Sequence, residues 1–171
     1  MLLSLVPHVC SAPVSGILLL QAGPGRFTLY SMYNASDETI RTILTDTRVI
    51  ALVGFSAKPA RPSHGVARFL VENGYRVIPV NPGLAGQVFE GETVRASLSE
   101  CPGDVDMVDI FRRSDQVCAV VDDAIAYLPK LRTVWMQIGV VNETAARTAR
   151  AHDLRVVWDR CPRIEMPRLC T

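Results

Sequence analysis

From residue 36 onward the apolar positions follow two alternating rhythms: short unbroken runs, and longer stretches with apolar residues three and four apart. Val49 to Val53 is five apolar residues in a row, rich in β-branched types, the pattern of a strand buried on both faces. Ahead of it, Ser36 with Asp37, Glu38 and Thr39 offers an N-cap and an acidic first turn. Ile40, Ile43 and Leu44 then recur at helical spacing and predict a helix to about Thr45. Behind it, Gly54 ends the run and a polar loop carries Lys58, Pro59, Arg61 and Pro62. A second helix is predicted with Ser63 as N-cap, with Val66, Ala67, Phe69, Leu70 and Val71 inward and a stop at Asn73-Gly74. Tyr75 to Val80 reads as the next strand and Asn81-Pro82-Gly83 as the turn that ends it.

The alternation continues to the C-terminal region. Val105 to Phe111 reads as a strand, Gln116 to Tyr127 as a helix, Val134 to Gln137 as a strand, Glu143 to His152 as an Ala-rich helix and Arg155 to Trp158 as a closing strand. Leu84 to Gly103 is less regular, with a short strand at Gln87 to Glu90 and a turn at Ala96 to Leu98. Strands separated by helices of this length need crossover connections. The predicted class is therefore α/β: a Rossmann-like doubly wound parallel sheet, three layers α/β/α, in a single domain.

Composition agrees with one domain. The chain has 171 residues, 49% hydrophobic and 20% charged, with a net charge of +1. That is enough for one core and gives no global attraction to nucleic acid or a membrane, so any anion site must be local. Cys10, Cys101, Cys118, Cys161 and Cys170 are scattered and never in C-x-x-C spacing, which argues against a disulfide framework and a zinc site and fits a cytoplasmic protein. Residues 1–35 stand apart. Met1 to Gly25 contains no Lys, Arg, Asp or Glu, and its apolar patch Ile17 to Leu20 is too short to span a bilayer and lacks a preceding positive region. Residues 1–35 read as a disordered or artefactual extension, with the working chain starting near Met32 and the domain at 36–169.

The chemistry concentrates after the first strand. A strand, a loop and a helix in that order place unpaired N–H groups and a positive dipole end where an anion can settle. A nicotinamide cofactor is the first thought for such a sheet. However, Gly54-Phe55-Ser56 puts Ser where the G-x-G-x-x-G fingerprint needs its second glycine, and Asn81 stands where an acid would hold the ribose.

Five blocks in order, V-G-F-S-A-K-P-A-R-P-S-H-G-V-A (53 to 67), G-Y-R-V-I-P-V-N-P (74 to 82), V-D-M-V-D-I-F-R-R (105 to 113), W-M-Q-I-G-V-V-N-E (135 to 143) and D-R-C-P-R-I-E-M-P-R-L (159 to 169), closely resemble the small stand-alone CoA-binding proteins. These are similar to the CoA-binding domain of the succinyl-CoA synthetase α subunit without its other domains. The resemblance covers about Ser36 to Leu169 and implies CoA or an acyl-CoA as ligand. Gly54, Phe55, Ser56, Lys58, Pro59, Arg61, Ser63, His64 and Gly65 would surround the phosphates. Val80, Asn81 and Pro82 would wall the adenine or ribose, and Ile110, Phe111, Arg112, Gln137 and Gly139 would line the same crevice. The plainer alternatives are that Arg61, Arg112 and Arg113 are solvated charges, that His64 is a helix-start residue and that Phe111 is core. Cys161, between Arg160 and Arg163, invites a lowered pKa and exchange with the CoA thiol, against the alternative of a structural thiol.

No catalytic constellation is visible: His8, His64 and His152 lie on unrelated segments, and there is no G-x-S-x-G, H-E-x-x-H or P-loop. A non-catalytic CoA or acyl-CoA carrier, sensor or partner subunit is the first reading, with a homo-oligomer or a partner enzyme possible. An NAD(P) oxidoreductase or redox sensor in the same crevice is the alternative, and an enzyme acting on the acyl thioester is a third. Mass spectrometry of the cellular protein should find its N-terminus near Met32; peptides from earlier residues would refute the extension reading.

Overall fold

The computed structural model describes residues 34–170; the residues before Asn34, including Met32 and most of the extension, lie outside the described residues. Helix α1 (Asp37–Asp46) starts as the sequence predicts, with Ser36 Oγ accepting from Thr39 N. Strand β1 (Val49–Val53) is buried along its whole length. Helix α2 (Pro62–Glu72) leads to β2 (Arg76–Val80), and a two-residue hairpin follows, β3 (Val88–Phe89) with β4 (Glu92–Thr93). Then come β5 (Met107–Ile110), α3 (Val117–Tyr127), β6 (Thr133–Met136), α4 (Glu143–Ala151), β7 (Arg155–Val157) and α5 (Pro162–Leu169).

The sheet is parallel throughout, in the order β2-β1-β5-β6-β7. The chain steps from β1 out to β2, then returns to the other side of β1 with β5. That reversal opens a crevice at the carboxyl ends of β1 and β5. Each face of the sheet is covered. On one, Val108, Ile110, Val134 and Met136 pack under Val117, Val121, Ala145 and Ala149 of α3 and α4. On the other, Ile50, Leu52, Met107 and Trp135 pack under Ile40, Ile43, Val66, Leu70 and Leu169 of α1, α2 and α5.

Three local expectations need correction. Helix α2 begins two residues early. Pro62 takes the first helical position, where its fixed φ is an advantage and its missing N–H no loss. Arg61 is therefore the N-cap and makes no side-chain cap, and Ser63 is a buried residue inside the first turn. Phe69 and Val71 are only half-buried, because the inward face of α2 is Val66, Ala67 and Leu70. Residues 162–169, predicted as no element, form α5, anchored to α1 by Arg168 on Asp37 (2.6 Å) and by Arg41 Nε donating to Leu169 O (2.8 Å).

One carboxyl is enclosed by the core. Asp109, in register between Leu52 and Trp135, is fully buried. Burial pushes its pKa up to about 7, against the pull of Gln137 Nε2, which donates to both carboxyl oxygens at 2.9 and 3.0 Å. The unfolded chain releases this proton near its ordinary value of 3.8 while the folded chain keeps it. Stability is then full below about pH 4 and falls as pH rises towards 7. Asp109→Asn should therefore gain stability over the parent as pH goes from about 4 to 8, read as urea midpoints; parallel pH profiles would refute the buried-acid account.

Candidate functional site

The site is built on the junction of β1 and the loop behind it. Gly54 has φ +90, and a Cβ on it would lie 2.5 Å from Phe111 O. Gly54 N and Phe55 N both donate to Val80 O (3.0 and 3.3 Å), and Phe111 N donates to Val53 O (2.8 Å). The ends of β2, β1 and β5 are thereby drawn to one level. Asn81 holds the loop from the β2 side: Nδ2 donates to Phe55 O (2.6 Å), while Oδ1 accepts from Gly83 N (2.9 Å). Asn81 thus spends one donor and one acceptor position on fixing the loop and the turn.

Beneath the loop lies an aromatic trio. Phe55 is buried, its ring centroid 4.7 Å from Phe89 and 6.0 Å from His64, with His64 edge-on to Phe89 at 5.3 Å. His64 Nδ1 is 3.2 Å from Ser56 O. A carbonyl only accepts, so Nδ1 carries the hydrogen there. The loop is thus fixed from below while its upper side stays open.

The upper side carries the charge. Lys58 and Arg61 are exposed and neither makes an ion pair. Lys58 N donates to Ser56 Oγ (3.3 Å) and Arg61 N to Lys58 O (3.0 Å). His64 N and Gly65 N, expected to face an anion, are instead bonded to Arg61 O at 3.1 and 3.4 Å. Because Pro62 has no N–H, the N–H of Ser63 is the one left open in this first turn, together with those of Ser56 and Ala57 in the loop. A third cation joins them from a distant part of the chain. Arg163, in the first turn of α5, brings Nη1 to 3.1 Å from where a Cβ on Gly65 would be, and it too has no ion-pair partner. Lys58 in the loop, Arg61 at the N-cap and Arg163 beside Gly65 thus flank the start of α2, and among the described residues none has a carboxylate against it. Such a cluster repels itself unless an anion fills it.

A family model described as a CoA binding domain matches residues 48–167. The chain belongs to the CoA-binding domain family. Within it, the chain is 35% identical over 133 residues to the uncharacterized protein YneT of Bacillus subtilis (strain 168), covering 78% of this chain and 96% of that one. Two solved structures are also similar. A hypothetical protein from Pyrococcus horikoshii OT3 has a TM-score of 0.75 at 35% identity over 82% of this chain and 96% of its own. A Thermus thermophilus protein has 0.74 at 34% over 79% and 99%. A dinucleotide forming acetyl-coenzyme A synthetase from Ca. Korarchaeum cryptofilum shares the fold at 24% identity and a TM-score of 0.54, over 75% of this chain and 26% of that one.

As a CoA-binding domain, the protein brings some of the sequence-predicted site residues together and turns others inward. Gly54, Ser56, Lys58, Pro59, Arg61 and Pro82 border the crevice with exposed or half-exposed surface, and Arg112 is half-buried at the end of β5 without an ion pair. Phe55, Ser63, Val80 and Ile110 are buried, so their side chains belong to the core and what they present to the crevice is backbone. Phe111 is half-buried and packs on the core, its carbonyl pressed against Gly54. Gln137 spends its amide on Asp109, and Gly139 turns with φ +79 while its N–H donates to Asp159 Oδ1 (2.8 Å).

Arg163 was missed as a site residue because its neighbours in sequence, Arg160 and Cys161, drew attention to the thiol. The thiol reading needs correction: burial raises the Cys161 pKa, outweighing the helix N–H groups of Arg163 and Ile164, and Arg160 is engaged by Glu165 at 3.2 Å. The four cysteines among the described residues form no disulfide.

The two kinds of strain at Gly54 can be separated by comparison with Gly74, which has φ +87 but nothing within 4 Å of its Cβ position. Gly54→Ala should cost about 2–4 kcal/mol, clearly more than Gly74→Ala. Equal costs by chemical denaturation would show that contact with Phe111 does not matter.

Proposed function

We propose that this CoA-binding domain holds coenzyme A or an acyl-CoA with its phosphates on the Gly54–Gly65 loop, and that it works as a carrier, sensor or partner subunit. The observation that carries this reading is the uncompensated positive cluster. Lys58, Arg61 and Arg163 flank the amino end of α2, beside the crevice at the carboxyl ends of β1 and β5, and none has an acidic partner among the described residues. A ligand with several phosphate charges neutralises all three at once, and the unpaired N–H groups of Ser56, Ala57 and Ser63 supply hydrogen bonds that a simple counterion does not use. The adenosine then lies towards Val80, Asn81 and Pro82 at the end of β2, and the pantetheine arm runs the other way past Phe111 and Arg112 towards Gly139. Membership of the CoA-binding domain family supports the ligand. Nothing among the comparisons supports NAD(P), and Asn81, with both polar ends engaged, is poorly placed to replace the missing acid.

The working unit in this reading is Ser36 to Leu169. Its setting is the cytoplasm, where the cysteines stay reduced; no helix among the described residues is long and apolar enough to cross a membrane.

Titration calorimetry on the full chain should show CoA binding that weakens with added salt. The double substitution Lys58→Ala/Arg61→Ala should lower affinity about tenfold or more with an unchanged unfolding midpoint, since both side chains are exposed. No heat with CoA or any acyl-CoA, or a response to NADH alone, would overturn the proposal.

A further inference from the structure

Beyond the phosphate loop, the carboxyl edge of the sheet holds a second concavity. It is an open cleft of ≈ 350 Å³ lined by Ile138, Asp159, Arg160, Cys161, Ile164 and Glu165. Ile138 follows the end of β6, Asp159 to Cys161 follow β7, and Ile164 and Glu165 belong to α5. Among the described residues four large apolar side chains are exposed, and two of them, Ile138 (58%) and Ile164 (55%), form the rim of this one cleft. That pairing is not the scatter of single apolar residues that any surface shows.

The cleft and the loop share a neighbour. Arg163, next in sequence to Ile164, reaches back to Gly65 of α2, so the first turn of α5 borders both. Measured along the sheet edge, the cleft lies two to three strand spacings from β1, about 10–15 Å at roughly 4.8 Å each. An extended pantetheine arm starting from phosphates above β1 bridges that span and delivers its sulfur to the cleft.

The polar groups of the cleft are already engaged. Asp159 Oδ1 accepts from Gly139 N at 2.8 Å. Glu165, almost wholly buried, is paired with Arg160 at 3.2 Å and is also bound by Arg168. What faces an incoming group is the aliphatic surface of Ile138 and Ile164 above a neutral thiol at Cys161.

We infer that this cleft takes the acyl group of an acyl-CoA, and that it selects an unsubstituted aliphatic acyl chain over both free CoA and a dicarboxylic thioester. The inference rests on the phosphate placement proposed above. An aliphatic chain covers the two isoleucines and removes apolar surface from water. A terminal carboxylate would have to be desolvated against Ile138 and Ile164, and the cleft's own arginine, Arg160, is already engaged by Glu165.

Calorimetry on the full chain with CoA, butyryl-CoA and succinyl-CoA tests this. Butyryl-CoA should bind about tenfold more tightly than CoA, and succinyl-CoA should show no such gain. The variant Ile138→Asp/Ile164→Asp, and the milder Ile164→Ser, should lose the butyryl advantage while keeping the parent's affinity for CoA. Equal affinities of the parent for CoA and butyryl-CoA would overturn the acyl cleft and leave the CoA site standing. Absence of binding by CoA and by both thioesters would defeat the underlying placement, and this inference with it. A parent dimer that falls apart in the double variant while the butyryl advantage survives would make the two isoleucines a contact between copies, which also overturns it.

Discussion

The approach of the β1 end to the β5 end is the constraint on which the rest of the site depends. Phe111 O lies so near Gly54 that no side chain fits between them, and Gly54 N is simultaneously tied to Val80 O on the far side. Three strands therefore end at one level, and the chain has to leave β1 upward with a positive φ. Everything that makes the loop useful follows from that exit. Phe55 drops onto Phe89 and His64, and Asn81 reaches across to hold its carbonyl. The cations at 58 and 61 are left on the open side. A glycine here serves the packing of the sheet and the direction of the loop at the same time.

Charge is handled in opposite ways above and below this junction. Above it, cations from two distant segments are brought together at a helix end that is already positive. Below it, one acid is enclosed between Leu52 and Trp135 with a single amide for company. The acid is about half protonated at neutral pH because enclosure disfavours its charged form.

Much of the fold was legible in the sequence, because the strands here are unbroken apolar runs and the helices keep strict spacing. Val49 to Val53 and the cap at Ser36 follow directly from residue type. The start of α2 lies two residues before the expected one, since Pro62 and Ser63 are both good opening residues and only packing decides that Ser63 goes inside. Helix α5 was illegible for a different reason. It contains Pro167 and carries little apolar periodicity, and it is held largely by polar contacts to α1 that span more than a hundred residues of sequence. The loop was found because its residues are adjacent in sequence. Arg163 was not, because what makes it part of the site is a neighbour a hundred residues earlier, at Gly65. Asp109 and Gln137 were separated for the same reason: their pairing is a matter of strand register, which the order of elements does not reveal.

The anchoring of α5 to α1 by Arg168 and Arg41 bears on how the protein comes into being. The strand, loop and helix at residues 49 to 72 are translated well before Arg163, the arginine of α5 that lies against Gly65. A nascent chain can form this loop long before that cation reaches it. A chain stopped short of α5 would keep the five strands of its sheet and leave the first turn of α2 without its distant neighbour.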